Sequence, residues 1–156
     1  LIGKGSFGEV VTGKHKETGK DVAIKLIRGV YSHPRKTRSI VSEIQVMSQL
    51  TRMANNNHTV KIYDAIQVSH SGDDCIFIVM EKVVSDLKKV LLSSSNIAFD
   101  EEHALVLMYN SLCSLNYLHS ANVMHRDIKP ANMLVDGSCQ VKLCDFGFAR
   151  SVPQPE

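Results

Sequence analysis

The chain has 156 residues, 44% of them hydrophobic and 22% charged, with a formal net charge of +2. That is the make-up of an ordinary globular protein, long enough for about one domain with a proper hydrophobic core. The two charge signs are interspersed and no apolar run reaches the length of a membrane span, so composition argues against nucleic-acid and membrane partners.

The first patterned stretch is Gly3-Lys4-Gly5-Ser6-Phe7-Gly8-Glu9-Val10. Glycine carries no side chain, so backbone amides can approach phosphate oxygens closely. Three readings stay open at this point: a phosphate-covering loop, a plain glycine-rich hairpin, and a dinucleotide-binding turn. The last needs a strand before the glycines and a helix after them, whereas Val10-Val11 continues as a strand. Leu1 already lies inside this pattern and no signal peptide precedes it, so both ends are expected to be truncations.

Thr18-Gly19-Lys20 predicts a turn into the strand Asp21–Ile27. Within it, Val22-Ala23-Ile24-Lys25 places one lysine among apolar residues. A buried ammonium is costly unless paired, although a lysine can also snorkel from a strand edge. Pro34 opens a helix with Ile40, Ile44 and Met47 at helical spacing, ending before Asn55-Asn56-Asn57. Glu43 sits beside that stripe and is a candidate partner for Lys25. Two strands follow, Val60–Val68 and Cys75–Met80, with a turn at Gly72-Asp73.

From Asp86 the pattern becomes helical. Asp100-Glu101-Glu102 starts a long helix carrying Leu105, Met108, Leu112, Leu115 and Leu118. A polar loop around His125 precedes two short strands, Met133–Val135 and Val141–Leu143. Strands first and helices second predict a two-part α+β architecture, residues 1–82 and 83–156, with a boundary near Glu81 to Ser85. Cys75, Cys113, Cys139 and Cys144 form no CxxC and no ligand pattern with histidine, which suits reduced thiols in a cytosolic protein.

The chemistry concentrates in His125-Arg126-Asp127-Ile128-Lys129-Pro130-Ala131-Asn132. One loop holds a carboxylate able to orient a hydroxyl, a cation two positions on, and a carboxamide. Asp145-Phe146-Gly147 follows, with its carboxylate thirteen residues beyond Asn132. Phosphoryl transfer requires positive charge at the transferred group and oxygen ligands for Mg²⁺, which prefers one or two carboxylates plus phosphate oxygens.

In this order the motifs GxGxxGxV, VAIK, HRD(I)KxxN and DFG resemble the eukaryotic protein kinase family over essentially the whole chain. Only Ile128 departs, standing where leucine is usual. The resemblance implies a two-lobe kinase fold, ATP and Mg²⁺ as cofactors, an ion pair of Lys25 with Glu43, and Asp127 as catalytic base. It gives Lys129 the γ-phosphate, a serine/threonine feature, and Asn132 and Asp145 the metal. Gly3, Gly5, Ser6, Phe7 and Gly8 would cover the phosphates. Ile2, Val10, Ala23 and Leu134 would sandwich the adenine, Met80 would guard the back of the pocket, and the backbones of Glu81 and Val83 would bond the base. Asp86 would contact the ribose, Cys144 would lie near the nucleotide, and Met47, His125 and Phe146 would stack between the lobes. For each apolar position ordinary core packing explains the residue equally well.

Ile76–Leu87 and Val141–Arg150 are similar to mitogen-activated protein kinases, a pattern shared in part with cyclin-dependent kinases. The resemblance implies a protein substrate, an upstream activating kinase acting on a loop beyond Glu156 with Arg126 meeting the added phosphate, and a cytoplasmic location with the nucleus as a second compartment. A catalytically weak ATP-binding scaffold is the alternative of another class, although Lys25, Asp127 and Asp145 are all present. The isolated chain is expected to expose apolar surface at Leu112, Leu115 or their neighbours, and to be poorly folded and nearly inactive on its own.

Overall fold

The computed structural model describes residues 1–5, 8–70, 73–93 and 99–152. Ser6 and Phe7 of the glycine-rich stretch, and Gly72 of the expected turn, lie outside the described residues. Five strands form one antiparallel sheet: β1 (Gly3–Gly5), β2 (Gly8–Lys14), β3 (Asp21–Arg28), β4 (Ile62–His70) and β5 (Asp73–Glu81). Their spatial order is β1-β2-β3-β5-β4, so β2, β3 and β5 are interior. A strand, not a helix, follows Gly8, which removes the dinucleotide-binding reading.

Gly8 has an internal reason to be glycine: a Cβ there would overlap the Leu26 carbonyl of β3. Gly19, at φ +67°, makes the left-handed step of the β2–β3 turn, closed by His15 N donating to the Lys20 carbonyl at 2.8 Å. On β3, Ala23, Lys25 and Ile27 alternate onto one buried face, the period of two that a pleated strand imposes.

Helix α1 (Pro34–Arg52) packs on the sheet. Pro34 occupies its first turn, where a missing N–H costs nothing, and the His33 side chain accepts from Arg35 N. Ile40, Glu43, Val46, Met47 and Leu50 are its buried residues, the three-and-four spacing of one helical face. Ile40 joins Ile27, Val30, Ile76 and Ile78 in one apolar cluster, while Met47 and Leu50 join a second that runs on into the later half of the chain. Ile62 and Met80 pack against both.

The strand expected from Val60 begins at Ile62. Residues 58–60 pair elsewhere: Leu143 N donates to the His58 carbonyl at 2.9 Å and Val60 N to the Leu143 carbonyl at 3.0 Å. The loop before them is held by Asn56, which is buried and bonds the Leu50 carbonyl, Thr59 N and Thr59 Oγ1.

The later half comprises β6 (Ser85–Asp86), α2 (Leu87–Leu92), α3 (Glu101–Ser120), β7 (Val123–Met124), β8 (Met133–Val135), β9 (Val141–Leu143) and β10 (Arg150–Ser151). Short 3₁₀ turns occupy Pro130–Asn132 and Phe146–Phe148. β6, β8 and β9 form one small sheet, and β7 pairs antiparallel with β10. Among the described residues no helix is long and apolar enough to cross a membrane.

Asp100 caps α3 by accepting from His103 N at 3.0 Å, with Glu101 and Glu102 complementing the helix dipole. The expected apolar face of α3 needs correcting. Leu105, Met108 and Leu112 are 64%, 62% and 58% exposed, whereas Leu107, Ser111, Ser114 and Leu118 are buried. The serines are small enough to bring the helix against the sheet, and Ser114 Oγ lies 2.8 Å from the Val141 carbonyl. The expected exposed apolar surface is present at Leu112, and Tyr109 extends it, but Leu115 packs against the core.

Candidate active site

A charged cluster forms where β3, α1 and the segment after β9 meet. Lys25 Nζ lies 2.6 Å from Glu43 Oε1 and 3.2 Å from Asp145 Oδ1, so the lysine of β3 has the predicted partner and a second one. Lys25 and Glu43 are 5% and 2% exposed, which leaves the ion pair little water. Burial pushes the Lys25 ammonium down, but the Glu43 and Asp145 carboxylates outweigh it and hold the group above the ordinary lysine range. Burial pushes the Glu43 carboxyl up, and Lys25 draws it only partly back. One cation against two carboxylates leaves the cluster one negative charge in excess.

From Asp145 a continuous set of contacts leads to the other loop. Cys144 N donates to the Asn132 carbonyl at 3.0 Å, fixing the residue before Asp145 to the end of the Pro130–Asn132 turn. Asn132 Nδ2 donates to the Asp127 carbonyl at 2.9 Å and to Asp127 Oδ2 at 3.0 Å. Lys129 Nζ reaches the same Asp127 Oδ2 at 2.7 Å. The Lys129 hydrogen bond, with help from Asn132, holds the Asp127 carboxyl below the usual carboxylate range despite partial burial, and Asp127 raises Lys129 in return.

His125 and Phe146 meet at a tilt of 48° and not as a parallel stack, 5.0 Å between ring centroids, both buried, with Met47 buried in the same cluster as Phe146. His125 Nε2 lies 2.9 Å from the Cys144 carbonyl and therefore carries the proton; Nδ1 is buried without a hydrogen-bond partner. Burial holds this imidazole below the ordinary histidine range. Burial also pushes the Cys144 thiol up to about 12, with the Asp145 carboxylate adding to the shift, and the half-buried residue packs against the core, which favours a structural thiol over a reactive one.

The residues expected around an adenine line one another through strand register. Val10 pairs with Lys25, Ala23 with Met80, and Leu134 with Asp86. Ala23 is buried, Val10, Met80, Val83 and Leu134 are half-buried, and Ile2 is exposed. The Ile2 carbonyl accepts from Lys89 Nζ of α2 at 3.1 Å, tying the chain's start to the later half. The amide of Glu81 is already donated to the Lys61 carbonyl, so any backbone bond from this position to a ligand comes from its carbonyl. Asp86 caps α2 through Lys89 N at 2.9 Å and pairs with Lys89 Nζ, duties that a ribose hydroxyl would share. Two groupings escaped the sequence reading. Glu81 pairs with Lys142 of β9, a lysine alternating with Val141 and Leu143, and Arg126 Nε donates to the Phe148 carbonyl at 2.8 Å.

The donor set suits Mg²⁺. With Nδ2 engaged twice, Asn132 is left with its side-chain oxygen to offer, and Asp145 is half-buried with one oxygen held by Lys25. Among the described residues no three His, Cys, Asp or Glu side chains cluster as a metal cage, so a metal here would need phosphate and water oxygens as well.

The family model described as "Protein kinase domain" matches residues 1–156. Mitogen-activated protein kinase 1 of Oryza sativa subsp. japonica is 35% identical over 99% of this chain, which covers 38% of that protein. Mitogen-activated protein kinase 13 of Arabidopsis thaliana is 32% identical over 99% of the chain and 41% of its own length. Mitogen-activated protein kinase 6 of the same plant is 36% identical over 96% of the chain and 36% of its own length. The chain thus spans roughly two fifths of these relatives.

Proposed function

This chain belongs to the protein kinase domain family, and from that premise we propose that it carries the ATP-binding and phosphoryl-transfer residues of a serine/threonine kinase of the mitogen-activated type. The observation that carries the proposal is the chain of contacts from Glu43 through Lys25 to Asp145 and, by way of the adjacent Cys144 amide, from Asn132 to Asp127 and Lys129. It joins the charged side chains that phosphoryl transfer would use across two separate parts of the chain.

Bound ATP would supply the γ-phosphoryl group, and Mg²⁺ would neutralise charge on its oxygens. Residues 1–82 would hold the nucleotide and 83–156 would bring the hydroxyl to it. Lys25, kept cationic by two carboxylates, would bind phosphate oxygens, with Glu43 fixing its direction. Asn132 and Asp145 would hold Mg²⁺. Asp127 would orient the attacking Ser or Thr hydroxyl and take its proton. A carboxylate held below its usual range is a weak base, which favours orientation over early proton removal. Lys129 would offset charge on the transferred group. The protein substrate and an upstream activating kinase belong to the same proposal, as the names of the relatives suggest.

Thermal-shift titration of the chain with ATP, with and without Mg²⁺, and with NAD, tests the binding step. ATP should stabilise the chain, Mg²⁺ should add to the shift, and Asp145→Asn should remove the metal-dependent part alone. Stabilisation by NAD and not by ATP would sink the proposal. In the full-length protein Asp127→Asn should lower Ser/Thr peptide phosphorylation by at least about 100-fold.

A further inference from the structure

The backbone just after Asp145 is gripped from the side. Gly147, Phe148 and Ala149 end a 3₁₀ turn, where carbonyls lose their local partners. Each of the three is captured by a side chain. Ser39 Oγ of α1 donates to the Gly147 carbonyl at 2.5 Å, and Arg126 Nε to the Phe148 carbonyl at 2.8 Å. The Ala149 carbonyl accepts from Arg150 Nη1 at 2.6 Å and faces Ser42 Oγ at 3.5 Å.

Serines inside helices commonly donate to the carbonyl one turn back. Ser111 and Ser114 of α3 do so, toward Leu107 and Asn110. The Ser39 hydroxyl instead bonds a residue 108 positions away in the chain. Ser39 lies one turn before Glu43 on the same face of α1, because residues four apart are neighbours on a helix. A closed ring results. Glu43 holds Lys25, Lys25 holds Asp145, Gly147 lies two residues on, and Ser39 returns the path to the helix.

We propose that Ser39 is a positioning residue for the metal-binding loop: its hydroxyl fixes the Gly147 peptide, and through it the Asp145 carboxylate, to the turn of α1 that carries Glu43. Its relevance to Mg²⁺ rests on the kinase reading above, while the latch itself does not. Tilting or withdrawing α1 would then disturb the metal carboxylate directly, and not only through the Lys25–Glu43 pair. The hydroxyl is what matters, so Thr should replace Ser and the near-isosteric Val should not.

The test compares wild type with Ser39→Thr and Ser39→Val by hydrogen exchange without nucleotide. Ala149 N donates to the Phe146 carbonyl at 2.9 Å, so its amide reports opening of this turn. A net hydrogen bond of ordinary strength predicts about 2- to 12-fold faster exchange in the Val variant and wild-type exchange in the Thr variant. Strands β3 and β5 should be unchanged in both. In thermal shift with ATP fixed, the Val variant should need more Mg²⁺ by a similar factor, with metal-free ATP binding unaltered. Equal exchange at Ala149 in Val and Thr variants, or acceleration spread evenly over the sheet, would overturn the proposal. Because exchange is read without nucleotide, a chain that binds no ATP would overturn the functional reading and leave this result to be judged separately.

Discussion

Replacing Lys25 by Met should destabilise the chain by an amount that depends on pH. The ammonium is the partner of Glu43 Oε1, and Glu43 Oε2 is buried with no hydrogen-bond partner. Without Lys25 the Glu43 carboxylate is buried among apolar neighbours, a situation that costs about 3–5 kcal/mol. Its escape is to take up a proton. At pH 7 protonating a carboxyl of ordinary pKa costs about 3.7 kcal/mol, from 1.36 kcal/mol per unit over about 2.7 units. Asp145 adds little, because its side chain is 23% exposed and can turn to water. The sign follows from linkage. The folded-state pKa of Glu43, already above the unfolded value beside Lys25, rises further in the variant, so the folded variant binds more protons than folded wild type and the loss of stability grows as pH rises. The loss should therefore be near 4 kcal/mol at pH 7 and shrink to about 1 kcal/mol at pH 5. Urea denaturation of wild type and variant at both pH values measures it. The double variant Lys25→Met, Glu43→Leu removes both charges and should return to within about 1–2 kcal/mol of wild type at pH 7. A pH-independent loss, or a double variant no more stable than the single, would refute the reasoning.

Two further perturbations test other parts of the fold. Asn56→Ala strips the Leu50 carbonyl and Thr59 N–H of their buried partner, so a loss of about 2–4 kcal/mol is expected in urea denaturation, with a wild-type m-value. His125 is neutral when folded, and burial holds its pKa below the unfolded value, so its contribution is complete above about pH 6.5 and declines as pH falls through that point. The stability difference between wild type and His125→Phe should accordingly narrow by up to about 1.4 kcal/mol per pH unit below pH 6; a constant difference would place the proton elsewhere.

Much of this architecture could be read from local sequence, and the reasons it could are themselves local. Met133–Val135 and Val141–Leu143 are strands with the bounds expected of them, because short apolar runs between turn residues admit few other structures. A lysine in an apolar strand demanded a partner, and Glu43 provides it. The misreadings share a different cause. On α3 the buried stripe runs through Ser111 and Ser114, which hydropathy discounts, because closeness to the Val141 carbonyl decides the face there. Val60 extends the β4 pattern in sequence yet pairs with Leu143, a choice set by the position of β9. The Ser39 latch likewise depends on where Gly147 arrives in space, and nothing near Ser39 in sequence announces it.

The backbone at the two carboxylate loops shows why neighbours far along the chain matter most at this site. Arg126 and Asp145 both adopt left-handed conformations, each with φ of +63°, and neither is glycine. For a residue with a Cβ that conformation costs about 1–2 kcal/mol, so local preference alone would not hold it. Glycine would relieve the cost at either position, but only by deleting the guanidinium that captures the Phe148 carbonyl or the carboxylate that meets Lys25. The strain persists because contacts from several directions over-determine the two loops: His125 to the Cys144 carbonyl, Cys144 N to Asn132, Arg126 to Phe148 and Ser39 to Gly147. Each of these bonds joins residues at least 12 positions apart, and each fixes a peptide within three residues of Asp127 or Asp145. Removing one should therefore loosen the carboxylate geometry before it loosens the fold, since the apolar clusters built on Ile27, Met47 and Leu143 take most of their buried residues from outside these loops, Phe146 and Ala149 excepted.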